Sequence, residues 1–228
     1  MADFQPYDAP AATTIADTDV INLLDVSANA IKYTTRAEFL GGTASDKATA
    51  IGAVASPVSG TTAVSIAANG SYVALTFTLT AARIAVTDGG GSGSYGSLKL
   101  FDFAQGAASF LGARQNYTAF VEGAALTGAA GDAAFEIGVG TTAISAAADG
   151  TLGNGEQENV GQAVSITLSG GTGAGTAVDG AKTTALDGTA TALDLYLNWS
   201  GAAATIDANS TIDVTGTITV ALVMLGDD

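Results

Sequence analysis

The sequence predicts an all-β protein: a two-sheet antiparallel sandwich of jelly-roll type, with an extended N-terminal arm and a small module of one β-hairpin and one short helix. Three observations predict it. Apolar and polar residues alternate at period two in several segments, the mark of strands with one buried face. Gly-, Ser- and Thr-rich stretches punctuate those segments. The chain has 228 residues, 47% of them hydrophobic, and at that length folding removes roughly 70% of the unfolded surface from water without covalent staples.

Residues 1–56 differ in texture from the rest and read as an arm and attachment module; residues 57–228 read as the β-sandwich domain. The arm holds Pro6 and Pro10 with Phe4 and Tyr7 and shows no period. Val20, Ile21, Leu23 and Leu24 lie in a strand from Asp19 to Val26, Ser27-Ala28-Asn29 form a turn, and Ala30 to Thr34 a second strand. Thr35 and Glu38 then fit a capping box, Thr35 as N-cap and Glu38 reaching back. Gly41-Gly42 stops that helix after about one turn.

In the second region Val73, Leu75, Phe77 and Leu79 share one face and Ala74, Thr76, Thr78 and Thr80 the other. Beyond Ala81-Ala82 the apolar set moves to Ile84 and Val86. A regular strand cannot shift phase by one residue without turning its core face outward, so a bulge or corner is expected at Ala81-Ala82. Further strands are expected over Leu98–Phe103, Tyr117–Val121, Ala134–Val139, Val160–Leu168 and Leu193–Trp199. The last strand, Ile212 to about Leu225, carries Ile212, Val214, Ile218, Val220, Leu222 and Met224 in phase, with a bend at Gly216. The Gly- and Ala-rich stretches 88–97, 123–132, 146–158 and 170–191 read as loops. Each Gly lowers helix stability by roughly 1 kcal/mol, and long loops of this kind serve as contact surfaces. About eight strands with long crossings suit a jelly roll.

Charge narrows the function classes. Only 13% of residues are charged, and Lys plus Arg number 7 against 22 Asp plus Glu, a net charge of −15. Such a chain repels nucleic acid and anionic membranes. The N-terminus shows no secretory signal and no run of about 18 apolar residues exists, so synthesis in the cytoplasm is expected. The chain has no His and no Cys. That removes Ser-His-Asp and Cys-His triads, imidazole zinc ligands and disulfides.

Several segments imitate chemistry. Gly91-Ser92-Gly93-Ser94-Tyr95-Gly96 matches the dinucleotide pattern, but the helix that pattern requires is replaced by the strand-like Ser97 to Phe101; a hairpin loop is the better reading. Gly175 to Thr183 approaches a Walker A loop, and Ala181 breaks its spacing. Asp149, Asn154, Glu156 and Glu158 offer oxygens to a cation, but the order of ligands and Gly fails for an EF-hand. Asp102, Glu122, Glu136 and Asp194 are candidates for a glycosidase pair, though exposed strand faces supply such residues routinely. Trp199 continues a core-facing set. The reading is therefore no catalytic residue, no cofactor and no metal.

One feature points toward assembly. Val220, Ala221, Leu222, Val223, Met224 and Leu225 are apolar on both faces, and a strand with two apolar faces is covered on both. The outer cover is this chain's own loops, its arm, or another subunit. Val223 and Leu225 are the candidates for self-association.

Asp17 to Asp25 followed by Asn29 to Leu40 resembles a module near the start of phage fibre and head-associated proteins. Ser210 to Val220 with Leu225-Gly226-Asp227 resembles the last strand of bacteriophage virion jelly-roll proteins, and Phe135 to Thr141 is similar to an inner strand of the same group. The resemblance implies a capsid decoration (cement) or head-fibre protein: a homotrimer outside the phage head that grips major capsid protein. Phe4, Tyr7, Leu23 and Leu24 are then the expected contacts with that partner. No nucleic acid, membrane or enzymatic activity is expected. The alternative is a tail fibre, spike or adhesin that binds a host glycan, with Trp199 or Tyr95 as the stacking residue. A polysaccharide-degrading spike is disfavoured by the missing His and the absence of parallel β-helix repeats.

Overall fold

The computed structural model describes residues 20–25, 30–35, 51–69, 72–90, 93–104, 106–123, 134–146, 152, 155–167, 172–173, 178–180, 184–188, 190–201 and 208–226. The chain divides into two units, Met1–Lys47 and Ala48–Asp228. In the first, β1 (Val20–Asp25) and β2 (Ala30–Thr35) form an antiparallel hairpin in which Val20 faces Thr35 and Asp25 faces Ala30. These are the two strands expected from the sequence. Thr35 ends β2; the remainder of the expected short helix, the turn at 27–29 and the arm with Phe4 and Tyr7 lie outside the described residues.

The second unit is all-β. Its strands are β3 (Gly52–Val54), β4 (Thr61–Asn69), β5 (Tyr72–Asp88), β6 (Ser94–Phe103), β7 (Ala107–Glu122), β8 (Ala134–Gly140) and β9 (Gly161–Thr167), then the short β10 (Thr172–Gly173), β11 (Val178–Gly180) and β12 (Thr184–Leu186), and finally β13 (Asp194–Gly201) and β14 (Ser210–Gly226). All join one twelve-stranded antiparallel sheet in the order β10-β7-β14-β5-β6-β13-β8-β9, with β4 on β5, β3 on β6, and β11 and β12 on β7. The sheet curls nearly closed. The Gln115 side chain of β7 donates to the Gln162 carbonyl of β9 at 2.8 Å, and a Cβ at Gly161 would meet Ala113 at 3.0 Å.

Three long strands make the curl possible, and each breaks register. On β5, Thr80 and Ala81 together face the single residue Thr215 between the pairs Leu79–Gly216 and Ala82–Val214. Ala81 adopts φ 47° there. Buried positions are Val73, Leu75, Phe77 and Leu79 before this point and Ala82, Ile84 and Val86 after it, so the expected bulge is present and keeps the apolar side inward. Gly216 lies at the same corner on β14, where a Cβ would come within 2.3 Å of the Asn116 carbonyl oxygen. A second slip on β7, between the pairs Gly112–Ala221 and Phe110–Leu222, moves its outward set from Ser109 to Arg114, Asn116 and Thr118.

The core lies inside the curl. Trp199, Phe77, Phe101, Phe110, Phe120 and Phe135 are all fully buried in it. Phe77, Phe101, Phe103 and Phe110 form a chain of edge-on contacts at 6.1, 4.9 and 5.7 Å, each stabilising by about 0.5–1.5 kcal/mol beyond burial.

Two sequence expectations change. Gly52–Val54, placed by sequence in the 1–56 segment, pairs with β6, and Ile51 beside it is 4% exposed in the core of the second unit. The stretch 170–191, read as a loop, contributes β10, β11 and β12 along β7. β4 and the first half of β7 are strands the alternation did not single out.

Candidate interaction surfaces

Alternation fixes what the outer face of β4, β5, β14 and β7 presents. Successive rows across it read Ala67–Ala74–Ala221–Gly112, Ser65–Thr76–Thr219–Arg114 and Ala63–Thr78–Thr217–Asn116. Arg114 is the one charged residue in these rows. The side chains are short and neutral, and the Thr76 and Thr219 hydroxyls meet at 3.2 Å. At one end of the face Tyr72 stands opposite Val223. Tyr72 is 47% exposed and Leu225, at the end of the same strand as Val223, is 58% exposed; Val223 is half-buried. Tyr72 and Leu225 are thus exposed at the apolar end of this face, and a neutral sheet face ending in exposed apolar groups suits contact with another molecule.

A different surface is built over the outer side of β13. Asn198 points there and is fully buried. Its amide donates to the carbonyls of Thr142 and Gln157 at 3.0 and 2.8 Å, and its oxygen accepts from the Ile144 N–H at 3.0 Å. One side chain thus ties down both arms of the 141–160 segment. Asn159 adds two bonds to Thr141, accepting from its N–H at 3.0 Å and donating to its hydroxyl at 2.9 Å. The Leu152 N–H donates to Glu136 at 2.8 Å.

Between this segment and the residues leading into β13 lies a groove of about 420 Å³ whose lining includes Thr141, Thr142, Glu156, Thr191, Leu193 and Tyr196. Tyr196 donates its hydroxyl to Asp194 at 2.7 Å, and Lys99 pairs with Asp194 at 2.8 Å and with Asp102 at 3.4 Å. Partial burial works against the Asp194 charge, yet the Lys99 ammonium and the Tyr196 hydroxyl hold its pKa below the ordinary carboxylate range. Lys99 is held above its usual value, chiefly by its bond to Asp194.

The sequence candidates fall out as follows. Leu23 and Leu24 occupy consecutive positions of β1, opposite Lys32 and Ile31, so they belong to opposite faces of the hairpin. Phe4 and Tyr7 lie outside the described residues. Val223 pairs with Tyr72, and Leu225 lies exposed at a register slip two residues on. Of the candidate carboxylates, Asp102 and Asp194 meet around Lys99, Glu136 binds a backbone N–H, and Glu122 sits apart on β7. Glu156 accepts from the Thr142 hydroxyl at 3.2 Å and Glu158 from the Ala163 N–H at 2.7 Å. Among the described residues no group of three or more acidic side chains is placed to hold a metal ion. Between β5 and β6 the Gly89 N–H donates to the Gly93 carbonyl at 2.8 Å and the Gly93 N–H to the Gly90 carbonyl at 3.1 Å, and a strand follows.

Trp199 is not a glycan platform. It is fully buried and stacks on Phe135 at 4.4 Å, because its position on β13 faces the core. Comparison with protein-family models, curated proteins and solved structures returns no match.

Sequence reasoning passed over Asn198 and Tyr196. Both alternate with the core-facing Leu195, Leu197 and Trp199 and so lie on the outer side of β13, where polar residues are unremarkable. The signal for Asn198 was its place between Leu197 and Trp199, a carboxamide flanked by two core residues.

Proposed function

We propose that this chain is a structural virion protein of the capsid decoration (cement) type, with a jelly-roll domain that self-associates, as a trimer, on the outside of a phage head. It stabilises the shell by binding major capsid protein, through contacts that exist only once the shell is assembled, so mass action favours the intact particle. The arm and hairpin unit, with Phe4, Tyr7, Leu23 and Leu24, makes that contact and adds multivalency. The net charge of −15 suits the outer surface, away from packaged DNA.

The observation that carries the reading is the neutral outer face of β4, β5, β14 and β7, ending in exposed Tyr72 and Leu225 beside Val223. On a protein this acidic, a face whose middle rows carry only Arg114, with the mutually neutralising Arg83–Asp213 pair beyond the corner, is where like-charged copies approach with least repulsion. The missing imidazole and thiol, and the engagement of Asp102, Asp194, Glu136, Glu156 and Glu158 by Lys99, backbone N–H groups or a hydroxyl, favour a binding role over a catalytic one.

Sedimentation of the purified chain with and without shells of its major capsid protein tests the proposal. The native chain should sediment as a trimer and co-sediment with shells, and Val223→Asp should sediment as a folded monomer. A native chain that remains monomeric and stays in the supernatant at shell concentrations that saturate a cement protein refutes the reading.

A further inference from the structure

The groove beside Tyr196 has the chemistry of a small-molecule site, and its lining selects among ligands. No described lining residue is Lys or Arg, while Glu156, Asp187 and Asp194 are all present. Phosphate, sulfate and acidic sugars are therefore repelled. A free cation is not called for either: Asp194 is already bound by Lys99 and Tyr196, and Glu156 by Thr142. What remains is a neutral ligand with many hydroxyls and an apolar face. The Thr141, Thr142 and Thr191 side chains both donate and accept, the carboxylate oxygens accept further, and Leu193 with the Tyr196 ring offers a surface for C–H groups.

We infer that this groove binds a neutral saccharide, with the Tyr196 ring as its stacking surface and Thr191 and Glu156 as hydrogen-bonding partners for its hydroxyls. At about 420 Å³ and broadly open to solvent, the groove offers such a ligand a shallow seat. The walls are held before any ligand arrives. Tyr196 is fixed through Asp194 to Lys99, and the Thr141–Thr142 backbone is fixed by two N–H bonds to the Glu156 carbonyl at 3.0 and 3.3 Å and by the buried Asn198 beneath. Binding therefore does not have to order the Tyr196 ring or the Thr141–Thr142 backbone, which lowers its entropic cost in a shallow polar site. The groove belongs to one chain and is independent of whether copies assemble.

The test is an array of neutral oligosaccharides of glucose, galactose, mannose and N-acetylhexosamines, followed by titration of the best binder against the native chain, Tyr196→Ala and Thr191→Val. Binding should weaken at least about tenfold in Tyr196→Ala, equivalent to about 1.4 kcal/mol, and measurably in Thr191→Val. Thr191 is exposed, so Thr191→Val keeps the fold if Tyr196→Ala does not, and circular dichroism reports which. The inference is overturned by no binding at millimolar saccharide, by binding that neither variant changes, or by displacement of the saccharide with lysine methyl ester at equal concentration, which marks a site for amines.

Discussion

The amide of Ala81 donates to the Thr215 hydroxyl at 3.0 Å across the corner of the β5–β14 ladder, at the point where two residues of β5 face one of β14. The bond helps hold Ala81 at φ 47°, a left-handed conformation that costs a residue with a Cβ about 1 kcal/mol.

Ala81→Gly should therefore stabilise the chain by about 1 kcal/mol, and Ala81→Val, whose branched side chain tolerates that conformation least, should destabilise it by more than that. Urea unfolding followed by fluorescence reads both. Ala81 is exposed, so packing does not confuse the comparison. Equal midpoints for all three would show that the corner is not strained.

Asn198→Leu removes three bonds at once and strands the Ile144 N–H and the Thr142 and Gln157 carbonyls. The expected loss is about 3 kcal/mol. Hydrogen exchange should show faster exchange at Ile144 before any change in β5 or β14. Uniform acceleration across the sheet would mean that the 141–160 segment opens only with the whole domain.

Burial raises the pKa of Glu122, so the folded state favours its protonated form. That contribution to stability is present below the ordinary carboxylate range and is lost as pH rises through the raised value. Glu122→Gln should accordingly raise the melting temperature at pH 7 and leave it unchanged at pH 3. The gain should stay below about 1 kcal/mol because the group is largely in water. A melting temperature lowered at pH 7 would indicate that the charge has a partner.

The Trp199 indole N–H is buried and has no hydrogen-bond partner among the described residues. Trp199→Phe removes that orphaned donor while leaving most of the ring volume, so its cost should be under about 1.5 kcal/mol. Trp199→Ala should cost about 3–5 kcal/mol. Calorimetry distinguishes the two. A large loss in Trp199→Phe would mean that the N–H is satisfied in solution.

If copies associate through the neutral face, the −15 charge opposes them at long range and salt screens that opposition. Raising NaCl from about 0.05 to about 0.5 M should strengthen self-association in sedimentation experiments. Association weakened by salt would point to a contact built on ion pairs.

The strands legible in the sequence were those with large alternating side chains. β5, β13 and β14 announce themselves through Phe77, Trp199 and Ile218, and even the corner at Ala81-Ala82 shows in the shift from Leu79 to Ile84. β4 is quieter, since Val64 and Ile66 stand among Ala, Ser and Thr that suit many conformations. The first half of β7 is concealed by its own slip: Phe110 and Tyr117 are both buried, yet an odd number of positions separates them, and a strict period-two reading discards one or the other. β10, β11 and β12 are too short to carry a period, and their pairing with β7 is fixed by tertiary context. The groove was illegible for another reason. Tyr196 lies near Thr141 only because β13 pairs Tyr196 with Gly140, and nothing local in the sequence links them.

β14 lies between β5 and β7 and bonds both along nearly its whole length, yet it is the last of the three in the chain. Until Ser210 onward has emerged from the ribosome, the edges of the two older strands that β14 will occupy have no hydrogen-bonding partner. Closure of this sheet is thus tied to synthesis of β14, and a nascent chain that stops short of Ser210 leaves the facing edges of β5 and β7 unpaired.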